Sequence, residues 1–87
     1  MSICLLVDNI KDYGFLMAYC IDKDICVFRT YWNEKEKTSM CYKIDYTDKR
    51  CYKSDVDYYK ENGDEIFKPI FSFDEYGKVV LHYISLS

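Results

Sequence analysis

Among the groups in this chain that can attack, ligate or move a proton, thiol and imidazole come first. They belong to Cys4, Cys20, Cys26, Cys41, Cys51 and His82. A thiol nucleophile needs a base within hydrogen-bond reach, and His82 is the only histidine. His82 lies between Val80 and Ile84 at strand spacing. That setting reads as a packed, neutral histidine on an apolar face. No signature of a thiol enzyme surrounds any cysteine. The chain is therefore read as non-enzymatic, with no catalytic residue assigned and the cysteines as small apolar core residues. An odd number of thiols without an export signal points to reduced, unpaired side chains.

Metal and phosphate patterns fail on spacing. The cysteines stand as C-x5-C (Cys20, Cys26) and C-x9-C (Cys41, Cys51). Neither is the close C-x2-C pair that brings two thiolates to one zinc. The acids of the central segment lack the fixed offsets, middle glycine and closing glutamate of a calcium-binding EF-hand loop. The three glycines are isolated, so nothing cradles a phosphate. No metal and no cofactor is expected.

What remains is a surface pattern. Asp45, Asp48, Asp55, Asp57, Glu61, Asp64 and Glu65 are interleaved with Tyr46, Tyr52, Tyr58 and Tyr59. Tyrosine is an amphipathic contact residue that loses little entropy on binding, and it is enriched at interfaces. Carboxylates steer a molecule toward Lys- and Arg-lined surfaces. The candidate partner-binding set is Asp55, Asp57, Tyr58 and Tyr59, with Tyr46, Asp48 and Glu61 around them. The plainer reading is a solvated acidic face over half-buried tyrosines. Lys43, Lys49, Arg50, Lys53 and Lys60 dilute the negative field.

The elements that would position these residues follow from periodicity. Ile3–Val7 is a short apolar run that suits a buried strand, and 8–14 is a polar connection. Phe15–Ile21 reads as a second strand. Asp22-Lys23-Asp24 then forms a tight break before a third strand over Ile25–Trp32, which makes a hairpin. A charged loop covers 33–38. Ser39–Tyr46 shows the period of two of a half-buried antiparallel strand, with Met40, Tyr42, Ile44 and Tyr46 on one side. Beyond the turn at 47–50 the pattern divides. Cys51–Asp55 echoes Cys41–Asp45 as a second paired strand, whereas Ser54 followed by Asp57 resembles a helix capping box. The preferred reading is a strand stub at Cys51-Tyr52 and a short helix from Asp55 to about Glu61, stopped by Asn62-Gly63. Glu65–Phe73 and Lys78–Leu86 close the chain as a hairpin over Asp74–Gly77, with Pro69 at an edge or a bulge.

The sum is one α+β domain over residues 1–87, mostly β. It comprises a bent antiparallel sheet of about six strands or a small open barrel, and one short helix. Ten Tyr and five Phe give this short chain a large buried area per residue. No apolar run approaches the roughly 20 residues a membrane-spanning helix needs, so a soluble, cytoplasmic protein without membrane contact is expected.

Net charge is −3, and only two residues are Arg. That argues against direct nucleic-acid binding, which calls for a basic face. One Ala, one Pro, two Arg, ten Lys and ten Tyr form the skew of an AT-rich coding sequence, as in low-GC bacteria, their phages and some large DNA viruses. The leading functional expectation is a small module that binds a protein partner with a basic surface. A phage-type inhibitor of a nucleic-acid-handling host protein, of the anti-CRISPR or other anti-defence kind, would be an example acting in the host cytoplasm. The alternatives are a structural subunit of a virion or complex held through a strand edge, or a small enzyme or ligand-binding subunit using the cysteines and His82.

Overall fold

The computed structural model describes residues 1–35 and 40–86. Ser39, the first residue of the alternating strand, and 36–38 of the charged loop lie outside them. Among the described residues the order is β1 (Ser2–Val7), α1 (Ile10–Asp22), β2 (Cys26–Val27), β3 (Met40–Asp45), β4 (Arg50–Asp55), α2 (Val56–Glu61), β5 (Ile66–Phe73) and β6 (Val79–Ser85). The strands form one open sheet in the order β2-β4-β3-β1-β5-β6. The expected α+β, mostly-β domain with six strands is what the chain builds. The sheet is mixed rather than wholly antiparallel, because β1 pairs parallel with β5 and β2 parallel with β4.

The second strand expected over Phe15–Ile21 is instead the end of a helix. Asn9 caps α1, its side chain accepting from the Asp12 backbone N–H at 2.9 Å. Tyr13, Leu16, Met17 and Cys20 then recur at helical spacing as the stripe that meets the sheet. Ala18 and Ile21 interrupt no polar pattern in the sequence, yet they face water. The 22–24 break is accordingly a helix end and not a hairpin turn. Ile25 N–H donates to the Cys20 carbonyl at 2.8 Å and Asp24 N–H to the Ile21 carbonyl at 3.2 Å. This is a Schellman cap with Asp24 (φ +56°) in the left-handed position that glycine usually takes. The third strand shrinks to Cys26–Val27, since Arg29 (φ +51°) turns the backbone out of the extended region.

The helices lie on opposite faces of the sheet, and connection handedness explains why. From β1 through α1 to β2 the chain crosses over β3 and β4. From β4 through α2 to β5 it crosses back the other way. Two right-handed crossovers running in opposite directions must cover opposite faces. Alternation along the strands serves both sides. Ile3, Leu5, Val7, Tyr42 and Ile44 pack under α1 with Leu16, Tyr19 and Cys20. Cys4, Cys41 and Ile66 pack under α2 with Tyr59. β3, read as half-buried, is central and covered on both faces.

β4 is a full strand, longer than the stub expected, and it runs directly into α2; both readings of 51–61 describe part of it. The last hairpin forms as expected, but β5 lies between β1 and β6 and is neither an edge strand nor bulged at Pro69. Gly77 N–H donates to the Asp74 carbonyl at 3.1 Å, and Gly77 (φ +77°) takes the left-handed position. Pro69 is tolerated because the parallel ladder with β1 ends at Leu5–Phe67, so no neighbour on that side asks for its missing N–H. No described helix is long and apolar enough to cross a membrane.

Candidate functional site

α2 is a six-residue helix, too short to hold itself together, so its ends and its buried side are what fix it. Asp55, the last residue of β4, is the N-cap, where Ser54 was expected. Its Oδ1 accepts from the Tyr58 backbone N–H at 2.7 Å. At the other end Asn62 Nδ2 donates to the Tyr58 carbonyl at 2.7 Å, and Gly63 (φ +82°) takes the left-handed stop.

Between these caps Tyr59 points inward at 4% exposure and Tyr58 outward at 54%. Their rings meet edge to face at 5.3 Å. Burial holds the Tyr59 hydroxyl above its usual range. It also pushes the thiols beneath, with Cys4 up to about 12 and Cys41 up to about 11. These are inert core thiols.

Beside α2 the uncovered ends of β3 and β4 form a groove of about 630 Å³. Its lining is Lys43, Asp45, Tyr52, Lys53, Ser54, Tyr58, Tyr59, Asn62 and Asp64. Lys43 Nζ reaches Asp64 at 3.0 and 3.2 Å and stands 5.9 Å from the Tyr59 ring. The carboxylate holds Lys43 above its ordinary range. Asp45 accepts from the backbone N–H groups of Asp48 and Thr47, each at 3.0 Å, which holds its carboxyl below the usual range. A second, more apolar hollow of about 490 Å³ lies along Leu6, Val56, Ile66 and Leu86.

The sequence-derived candidates divide. Asp55, Asp57, Tyr58, Tyr59 and Glu61 are brought together by α2 and its cap. Asp57 and Glu61 are exposed, Asp55 is occupied as the cap, and Tyr59 is core. Asp48 is exposed in the β3–β4 turn, outside the groove lining. Tyr46 belongs to the α1 side, where its hydroxyl meets that of Tyr19 at 2.9 Å and burial raises its pKa. The sequence reading named Tyr52 but left it out of the partner-binding set, and it missed the Lys43–Asp64 pair. The available signal was alternation, because Lys43 and Asp45 share the face of β3 that carries Cys41.

His82 is not the packed histidine expected. It is exposed on β6 opposite Ile70. Cys4, Cys20, Cys41 and Cys51 are buried, whereas Cys26 is exposed at the far edge of the sheet. Among the described residues no cluster of three or more His, Cys, Asp or Glu is placed to hold a metal. The groove thus presents carboxylates, an amide and phenols together with the ammonium groups of Lys43 and Lys53. Comparison with protein-family models, curated proteins and solved structures gives no match to this chain.

Proposed function

We propose that this chain is a non-enzymatic protein-binding module that docks a basic partner surface through the outer side of α2 and the groove beside it. The observation that carries the reading is Tyr58. A large ring is held in the open by its buried neighbour, within the most acidic stretch of the chain. From Asp55 to Glu65 there are five acids and one Lys, more negative than the net −3 of the whole. A rigid aromatic with a polar tip is the usual anchor of a protein contact. The surrounding carboxylates supply approach and orientation toward Lys or Arg. Covering a basic, nucleic-acid-handling surface, as a phage-encoded anti-defence inhibitor does, is the role this reading assigns.

The test is fluorescence polarisation of the protein against an array of Arg- and Lys-rich peptides at two salt concentrations. Tyr58→Ala should weaken binding by about tenfold or more, the loss of a hot-spot ring. Asp57→Asn with Glu61→Gln should slow association and flatten the salt dependence. Equal binding by all three folded proteins, or no binding at low salt, overturns the proposal.

A further inference from the structure

The two edges of the sheet are built in opposite ways. At one end β2 is two residues long. At the other, β6 is seven residues, Val79–Ser85, with no Lys, Arg, Asp, Glu or Pro in it. Short strands, charges and prolines are the devices that keep a strand edge from pairing with another chain. β2 has one of them and β6 has none.

The direction of the unpaired groups on β6 follows from its hairpin. Asp74 N–H donates to the Lys78 carbonyl at 2.9 Å, so Asp74 and Lys78 form a hydrogen-bonded pair. Antiparallel ladders alternate such pairs with non-bonded ones. With Phe73 opposite Val79, Phe71 opposite Leu81 and Pro69 opposite Tyr83, Val79, Leu81 and Tyr83 turn their N–H and C=O away from β5. The same alternation accounts for Pro69, whose nitrogen points away from β6. Among the described residues no strand pairs with the outer edge of β6.

We infer that β6 pairs with β6 of a second copy of this chain, antiparallel, about a two-fold axis at His82. That register engages the whole strand. Leu81 bonds with Tyr83 of the partner subunit, and Val79 lies opposite Ser85 of the partner subunit. On the α2 side of the sheet Val80 meets Ile84 of the partner subunit, and the two His82 side chains are adjacent across the axis. Every facing pair from 80 to 84 is apolar, aromatic or His–His, and Ile84 and Tyr83 are exposed until it forms.

The flanking charges are held within the chain. Lys78, before β6, donates to Asp22 at 2.7 Å, while Ser85 Oγ at the other end donates to Glu65 at 3.1 Å. Antiparallel pairing therefore sets no two lysines and no two Glu65 side chains against each other. A head-to-tail array is disfavoured, because β2 offers only two residues to a strand of seven. The assembly therefore closes as a two-fold dimer.

Sedimentation equilibrium over the micromolar to millimolar range should show the 10.5 kDa chain doubling in mass and going no further. His82→Lys sets two ammonium groups face to face and should return the monomer. Tyr83→Pro removes an outward N–H without costing a bond to β5, and should do the same while circular dichroism stays that of the folded chain.

Cross-linking tests the register in a Cys26→Ser background, which removes the exposed thiol. With copper(II)–phenanthroline as oxidant, two thiols form a disulfide, their two electrons passing to copper and their two protons to solvent. Facing non-bonded positions have Cα atoms about 4.5 Å apart, within disulfide reach. His82→Cys should therefore cross-link rapidly and Val80→Cys slowly. A wild-type monomer throughout, a dimer that survives both β6 variants, or faster cross-linking at 80 than at 82 overturns the inference.

Discussion

Tyr58 and Tyr59 are neighbours in sequence whose rings touch edge to face at 5.3 Å, yet one is core and the other is surface. Adjacent residues on a helix point about 100° apart, and the sheet takes only one of them. The two should therefore separate stability from binding. Tyr59→Ala opens a cavity over Cys4, Cys41 and Ile66 and should cost about 3 kcal/mol in urea unfolding. Tyr58→Ala should stay within about 0.5 kcal/mol of wild type, as exposed substitutions do. Equal losses at both positions would mean that Tyr58 also packs and is no anchor.

Asp55 connects a strand to a helix with one side chain. Replacing it with Ala leaves the Tyr58 N–H without its 2.7 Å partner and should cost about 1 kcal/mol, the usual worth of an N-cap. Asp55→Asn keeps the acceptor and should restore most of the loss. For that reason the charge of α2 is better tested at Asp57 and Glu61, which cap nothing. If Asn fails to rescue, the charge at 55 matters more than the hydrogen bond.

The cysteines differ in access. Cys26 is exposed, whereas the other four are buried, with Cys4 and Cys41 raised to about 12 and about 11. Since the thiolate is the reactive form, native protein should titrate one thiol rapidly with a disulfide reagent. The remaining four should appear on denaturation. Cys26→Ser should abolish the fast phase. A fast phase that survives would place a second thiol at the surface.

Features that depend on a few neighbouring residues were legible in the sequence. The alternation of Met40, Tyr42 and Ile44, the Gly63 and Gly77 turns and the short helix ending at Glu61 all belong to this kind. α1 was hidden because Ala18 and Ile21, two of its water-facing positions, are apolar and fill the gaps that would have shown a period of 3.6. The parallel pairs were illegible because strand order is set by crossovers, which leave no local mark. The groove depends on Lys43 meeting Asp64, 21 positions away. His82 was misread for a related reason. An apolar strand pattern implies that something covers the strand; α1 does so over Val79 and Leu81, but nothing in the described chain packs over His82 on the opposite face.

Asp45 should give the acid limb of stability a recognisable component. Its carboxylate accepts from the N–H groups of Thr47 and Asp48, closing the β3–β4 turn and holding its pKa below the ordinary 3.8. A group whose pKa is depressed by folding contributes its stabilisation fully above the unfolded value. That contribution is lost as the pH falls through the folded one. The window therefore lies below about pH 4. Asp45→Asn preserves an acceptor for both N–H groups but cannot titrate. The wild type should be the more stable at neutral pH, and the difference should shrink on acidification below that window. Urea midpoints measured from pH 7 to pH 2 give the comparison, and a gap that stays constant would show that the turn does not depend on the charge.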